Sequence, residues 1–487
     1  MHKRIRLGTV IALLACLLIS SGMFLFLETP AAQQVQASKL HYKTPVVERC
    51  SSLIVGKNVS ADGSVILAHN EDLGNYPAQH HVYVPRQAHG PNEFIVTFDG
   101  AQVPQPSVTY AYIATEIFDI DYCPGQTTSG INEYQVAVVN NMSYRRDPEP
   151  EPHHPAGRII WTEFTRFALE RATTAREAVA VIGNLASKYK LGYDTGTMFG
   201  VTDLNEGWWV EVTQEGQWVA QRVRDDSTGF RANIFRIGVV DRGNPDFMYS
   251  KDLVSYAKSK GWDSFGPFNF SEVYGDPDKL NNPYNTHRED RAKYLLGQHL
   301  PSIKPEHIMA IWRDHYEGTD WDQTIGYTKG SPHQTYERTL CSIYTEVSVV
   351  CQSRGWLPAE IGALCWRAMA TPCTSIYTPW YLGGKDVPKE FQTGDNQYTR
   401  KSAYWTFRYL ALSADIRYGR TIKELKSEIQ AFEKDEMESQ AQIEDAALKL
   451  YAKDKAKASE YLSKYTAELA EKAIQKGNSL IEYCGRH

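Results

Sequence analysis

Beyond its first six residues this chain has no basic cluster. Lys and Arg number 52 against 58 Asp and Glu, a formal net charge of −6, and no later stretch concentrates the positive residues. That removes the electrostatic footprint by which proteins hold nucleic acid. Internal repeats are absent as well. Beyond Leu27 no apolar run is long enough to cross a bilayer, which takes about 20 residues, so any membrane contact is expected through the N-terminal segment alone. Cysteines are few, eight in 487 residues. Neither Cys341/Cys351 nor Cys365/Cys373 has metal-ligand spacing, and no compact His/Cys motif accompanies them. His80-His81 and His153-His154 are adjacent pairs and read as surface residues. No metal and no cofactor is expected.

What the chain does contain fits a globular enzyme. It is 42% hydrophobic and 23% charged, ample for one large core or two smaller ones. Its 29 Tyr and 11 Trp read mainly as core, with flat faces for a peptide or sugar as the second use. Met1 to Arg6 is basic and Leu7 to Leu27 is apolar, the pattern of a targeting segment, with a small-residue cleavage site at Val35-Gln36-Ala37. Residues 1–37 are therefore expected to be a signal peptide or retained anchor, and the remainder to be secreted or held at the cell surface. Setting aside Cys16 with that segment and Cys50 for chemistry leaves six cysteines, for which disulfides are permitted but no pairing is fixed.

Residues 38–49 are a short polar stretch, read as a propeptide. From Cys50 the pattern turns to strand: Leu53–Val55 and Val65–Ala68 flank an Asp62-Gly63 turn, a hairpin signature. Further strands are expected at His81–Val84, Phe94–Phe98, Tyr110–Ile113 and Gln135–Val139. Between Ile159 and Tyr189 apolar residues recur at three- and four-residue steps, predicting two amphipathic helices. Strands return at Met198–Thr202, Trp208–Thr213, Trp218–Arg222 and Phe235–Val240. Residues 245–335, rich in Pro, Gly, Asp and Asn, read as long surface excursions with short helices. Thr339–Ser353 reads as strand. From about Thr421 the chain is charged, Ala-rich and free of proline, predicting two long helices. Residues 50–420 would form the main domain and 421–487 a helical extension. Strands, helices, then strands again suggest an α+β, layered architecture.

Cys50 draws attention on chemical grounds. A thiol is the best side-chain nucleophile near neutral pH and needs a base. An α-amine, with an unperturbed pKa of ~7.7–8.0, is such a base. If the Arg49–Cys50 bond is cut, Cys50 carries both groups. A small buried cysteine at a strand edge is the competing reading, and on the residues alone it is the stronger of the two.

Resemblance decides. Cys50-Ser51-Ser52-Leu53-Ile54-Val55-Gly56-Lys57, then Ser60-Ala61-Asp62-Gly63-Ser64, then His69-Asn70-Glu71-Asp72 resembles the opening of the mature dipeptidase A family. These are cysteine peptidases of the N-terminal nucleophile hydrolase superfamily, similar also to secernins and distantly to penicillin V acylase and bile salt hydrolase. Gly130-Ile131-Asn132-Glu133, Trp208-Trp209-Val210-Glu211, Ala232-Asn233-Ile234-Phe235, Arg313-Asp314-His315-Tyr316-Glu317-Gly318 and Glu337-Arg338-Thr339 continue the likeness in order, over roughly residues 50–410.

The resemblance implies a four-layered αββα sandwich and hydrolysis of dipeptides or short peptides through a thioester on Cys50, following self-cleavage at Arg49–Cys50. A trypsin-like protease outside the cell, cutting after Arg49, is the other route to the same mature chain. The resemblance also implies that Asn233 is an oxyanion donor, that Asp72 holds the Cys50 α-amine, that Asn141 is a second donor, and that Arg338 lies near the nucleophile. The cousins place an arginine where His69 stands here, so that arginine's role does not carry over. Two other classes remain: an acylase cleaving non-peptide amides, and a non-enzymatic module binding peptide or glycan. The oligomeric state is left open, a homo-oligomer included.

Overall fold

The computed structural model describes residues 50–74, 78–118, 126–146, 155–192, 195–262 and 266–487. The expected signal segment, the expected propeptide, Cys16, Cys123 and His153-His154 lie outside them. Among the described residues no helix is long and apolar enough to cross a membrane.

The strands in chain order are β1 (Ser51–Val55), β2 (Val65–Asp72), β3 (Ala78–Val84), β4 (Tyr112–Phe118), β5 (Gln126–Asn132), β6 (Ala137–Ser143), β7 (Gly196–Thr202), β8 (Gly207–Val212), β9 (Trp218–Val223), β10 (Thr228–Arg231), β11 (Phe247–Tyr249), β12 (Thr345–Ser353), β13 (Ala363–Met369) and β14 (Thr378–Tyr381). Two small ribbons between Gln87 and Thr109 stand apart. The main helices are α1 (Trp161–Arg171), α2 (Ala175–Tyr189), α3 (Pro283–Gly297), α4 (Pro305–Trp312), α5 (Ala403–Ile416), α6 (Tyr418–Tyr451) and α7 (Lys455–Arg486).

Two antiparallel sheets result. One runs β10-β1-β2-β12-β13-β14, the other β11-β9-β8-β7-β6-β5-β4-β3. Helices α1 and α2 cover the outer face of the eight-stranded sheet, and α3 and α4 pack on the outer face of the six-stranded one. This is the four-layered αββα sandwich, with α5, α6 and α7 as a helical extension. The two sheets meet closely because glycine faces the hairpin. A Cβ on Gly200 would stand 2.7 Å from Leu67 Cδ1, and one on Gly207 2.7 Å from Ile54 Cγ2. Neither position has room for a side chain.

Local chemistry sets the element ends. The loop joining β1 to β2 turns through Gly63 at φ 82°, while Asp62 Oδ1 accepts from Ser64 N at 3.0 Å and Ser64 Oγ at 2.6 Å. Helix α3 starts at Pro283, with Asn282 capping Tyr284 N. Asp454 caps α7.

Two expectations are corrected. Phe235–Val240 forms no strand; its pairing is an isolated bridge at Val239, with another just before it at Ile234. Two of its backbone amides go to Glu211, which takes Arg236 N at 2.8 Å and Ile237 N at 3.1 Å, and Val240 N donates to Phe268 O at 2.9 Å. His80 and His81 are buried, not surface residues. The His81 ring meets Trp380 and Phe391, at 4.4 and 5.1 Å between centroids. Burial drives its pKa well below the usual histidine range, so it packs as a neutral aromatic. Of the cysteines left unpaired by sequence, Cys351 and Cys365 face each other across β12 and β13 and form a disulfide.

Candidate active site

Strand alternation sorts the hairpin into two sets of side chains. Ile54 and Leu67 enter the core between the sheets, whereas Leu53, Val55, Ile66 and Ala68 enter the core beneath α3 and α4. The β1–β2 register pairs Ser51 with Asn70 and Ser52 with His69. Extended by one residue, it sets Cys50 opposite Glu71. Cys50, Ser52, His69 and Glu71 therefore share the inter-sheet face, and Ser51, Asn70 and Asp72 the helix-facing side.

On the inter-sheet face the four side chains form a continuous chain of contacts. Cys50 Sγ lies 3.5 Å from Glu71 Oε1, Glu71 Oε2 lies 2.9 Å from His69 Nε2, and His69 Nδ1 lies 2.8 Å from Ser52 Oγ. Ser52 Oγ in turn donates to Asn141 Oδ1. The direction of this chain can be deduced from its far end. Asn141 Nδ2 donates to the carbonyls of Arg231 and Ala232, at 3.2 and 3.1 Å, so its Oδ1 faces Ser52 as acceptor. Ser52 uses its proton there and accepts from His69 Nδ1–H. His69 Nε2 is then an acceptor, and Glu71 must donate to it as a protonated carboxyl. Glu71 Oε1 is left to accept the thiol proton of Cys50.

The electrostatics agree with this order. Burial lowers the His69 pKa to about 4 and raises that of Glu71 to about 8, so both are neutral at pH 7.

The helix-facing set is held by arginines. Asp72 accepts from Arg338 at Oδ2 and from Thr345 Oγ1 at 2.6 Å. Burial pushes the Asp72 carboxyl up, and the Arg338 guanidinium opposes that shift. Arg288, fully buried on α3, donates through Nη1 to Cys50 O and Ser51 Oγ, both at 3.1 Å. Through Nη2 it reaches Asn233 Oδ1 and Asn285 Oδ1, both at 2.9 Å. Asn233 Nδ2 donates one hydrogen to Met142 O at 3.1 Å; an amide nitrogen carries a second.

The residues expected from the sequence thus gather around the head of β1, but not in equivalent positions. Asn233 joins Cys50 through Arg288. Arg338 meets Asp72 directly. Asn141 has its amide nitrogen directed at backbone carbonyls and orients Ser52 instead. Sequence reasoning missed Arg288 and Glu71. Glu71 was findable, because hairpin register alone sets it opposite Cys50. Arg288 lay in a segment read as a surface excursion and carried no signal.

Among the described residues, two groups of side chains have metal-ligand chemistry. Cys50, His69 and Glu71 are one, and their contacts are those just described. The other is His315, His333, Cys341 and Cys373. That second group corrects the expectation, drawn from spacing, that no His/Cys cluster accompanies the late cysteines: Cys341 and Cys373 turn to two histidines that the sequence keeps apart.

Comparison with known proteins agrees with the resemblance read from the sequence. A "Probable dipeptidase" of Latilactobacillus sakei is 26% identical over 76% of this chain and 82% of its own. A "Probable dipeptidase" of Salmonella dublin is 28% identical over 72% and 83%, and a "Dipeptidase" of Bifidobacterium longum 25% identical over 75% and 77%. Among solved structures, a conjugated bile acid hydrolase from Clostridium perfringens matches 72% of this chain and 98% of its own, with 12% identity and a TM-score of 0.32. The model of Peptidase family C69 matches residues 49–431, and the chain, a peptidase, belongs to that family.

Proposed function

We propose that the chain is an exported dipeptidase whose mature form begins at Cys50. The observation that carries this reading is the station of Cys50: at the head of a buried strand, its sulfur on Glu71 and its carbonyl on Arg288. The relatives named as dipeptidases support the substrate class. The Cys351–Cys365 disulfide supports an oxidising destination, to which residues 1–37 would direct the chain.

In the mature enzyme the Cys50 α-amine takes the thiol proton, and the sulfur attacks the peptide carbonyl carbon. The resulting oxyanion accepts from the second N–H of Asn233. The C–N bond then breaks, the departing amine takes up the proton, and a thioester remains. Water attacks the thioester, releasing the acid and restoring the thiol. Arg338 and Asp72 form the ion pair beside which the amine is held.

Before maturation the Cys50 nitrogen is an amide and cannot act as base. Glu71 and His69 fill that role. Glu71 Oε1 accepts the thiol proton while its Oε2 proton passes to His69 Nε2. The sulfur attacks the Arg49 carbonyl, the Arg49–Cys50 C–N bond breaks as the nitrogen is protonated, and water cleaves the thioester to free residues 38–49.

The mass of the N-terminal peptide tests the proposal, in a host without trypsin-like activity and with residues 1–37 omitted. Active wild type should begin at Cys50, and Cys50→Ala should retain residues 38–49. Full activity in a chain that starts at Ser38 would overturn the N-terminal nucleophile. Loss of the segment from both chains would overturn self-cleavage.

A further inference from the structure

We propose that His315, His333, Cys341 and Cys373 form a closed, structural site for a zinc-class divalent cation. One ligand atom from each side chain lies within 4.8 Å of the others. His315 Nε2 is 3.2 Å from His333 Nε2, and His333 Nε2 is 3.8 Å from Cys341 Sγ and 3.7 Å from Cys373 Sγ. Four tetrahedral ligands about one zinc, at ~2.0–2.1 Å for nitrogen and ~2.3 Å for sulfur, stand about this far apart. Two imidazoles and two thiolates are the donor set that selects zinc over magnesium or calcium. All four positions are protein side chains, which is the mark of a structural site rather than one that keeps a place for water or substrate.

The surroundings orient the donors. Both histidines point Nε2 inward because Nδ1 is held from outside by a carboxylate. His333 Nδ1 lies 2.9 Å from Asp415 Oδ1, and Asp415 is itself fixed by Ser331 Oγ and by Gln334 Nε2 at 2.7 Å. His315 Nδ1 lies 3.3 Å from Glu317 Oε1, and Glu317 accepts from His315 N at 2.7 Å. Carboxylate–histidine pairs of this kind are the usual outer support of a ligated imidazole. Tyr418 sets its ring edge-on to both histidines, at 6.0 and 5.4 Å between centroids. Both histidine side chains are within 1% of complete burial, and Cys341 and Cys373 are equally enclosed. A cleft of about 670 Å³ between α4 and α6 reaches Cys373 and Glu317 and offers a cation a way in.

The four ligands come from three separate pieces of chain. His315 and His333 belong to the excursion that follows α4, Cys341 leads into β12, and Cys373 lies in the turn after β13. A cation there would clamp the excursion to the end of the six-stranded sheet. Arg338, which holds Asp72, stands three residues before Cys341 on the clamped segment. The rival arrangement is a Cys341–Cys373 disulfide with the two histidines hydrogen-bonded to each other.

Elemental analysis of the full chain, purified without a chelating tag, decides between them. One zinc per chain is expected, and it should persist in Cys50→Ala, which disables the other cluster. Alkylation of unreduced protein in denaturant should label Cys341 and Cys373 only after a chelator is added. Apo protein titrated with Co²⁺ should develop a thiolate-to-cobalt charge-transfer band, weakened in Cys341→Ser and in Cys373→Ser and absent when both are replaced. Should those variants fail to fold, Asp415→Asn, which keeps all four ligands, should bind about 10- to 100-fold more weakly. Peptide mapping that finds a Cys341–Cys373 disulfide would overturn the proposal. So would a reduced, folded chain that takes up neither zinc nor cobalt.

Discussion

Asn233 Oδ1 accepts from Arg288 Nη2 at 2.9 Å, and this contact fixes which end of the asparagine amide is the donor. With its oxygen committed to a guanidinium, the amide must turn its nitrogen the other way. The same guanidinium holds the carbonyl of Cys50. One arginine therefore orients both the nucleophile's backbone and the amide proposed to receive the oxyanion.

Asn233→Ala should lower kcat by about 10²–10³ and leave KM nearly unchanged, since one oxyanion donor is lost and ground-state binding is not. Steady-state kinetics on a dipeptide checks this. A rise in KM alone would assign Asn233 to substrate binding. Arg288→Met should cost at least about 2 kcal/mol in a urea titration, because several buried acceptors lose their donor together.

Cys50→Ala should fold like the wild type and keep less than about a thousandth of its turnover. A small apolar residue fits the strand head but supplies no nucleophile. Cys50→Ser should do little better, because its hydroxyl is much harder to deprotonate. Circular dichroism beside the activity assay separates lost chemistry from lost structure.

Asp72→Asn should destabilise the fold by about 3–5 kcal/mol, as expected when one partner of a buried ion pair is removed. The charge of Arg338 would remain without the Asp72 carboxylate it faces. Denaturant unfolding measures the loss, and adding Arg338→Met to Asp72→Asn should recover part of it.

Glu71 gives stability a pH dependence whose sign follows from its raised pKa. The folded chain holds the proton up to about pH 8, whereas the unfolded carboxyl releases it near 4.5. Across that window the unfolded state binds fewer protons, so stability falls as pH rises. Glu71→Gln removes the effect. Its melting temperature relative to wild type should climb between about pH 4.5 and 8 and level off above. His69 acts in the opposite sense: with its pKa lowered from 6.5 to about 4, its contribution rises with pH between those values and is then constant. The Glu71→Gln variant should also mature more slowly, read as retention of residues 38–49.

Features local in sequence were legible in it. The Asp62-Gly63 turn between two apolar runs announced the β1–β2 hairpin, and the three- and four-residue steps from Phe164 to Ile182 announced α1 and α2. Cys50, Asp72 and Asn233 came from resemblance; taken alone, Cys50 reads as a small buried cysteine at a strand edge. Contacts between distant segments were hidden. Arg288 reaches Cys50 across 238 residues, and α3 has no apolar stripe to mark it, its buried face including Asn285, Arg288 and Arg291. The strand expected at Phe235–Val240 failed for a related reason: a single carboxylate, Glu211, captured two of its backbone amides. His81 was misread because adjacent histidines suggest solvent, whereas β3 lies between aromatic neighbours.

The strict alternation along β1 and β2 gives a counting rule to anyone editing this gene. One codon inserted within residues 65–70 would turn Glu71 to the helix-facing side and Asp72 to the inter-sheet side, taking the neutral carboxyl from the thiol and the charged one from Arg338. Two codons inserted there would restore the alternation. Additions confined to residues 56–64 would lengthen only the loop. Tolerance of insertions should therefore alternate between odd and even lengths inside the strand and show no such parity in the loop.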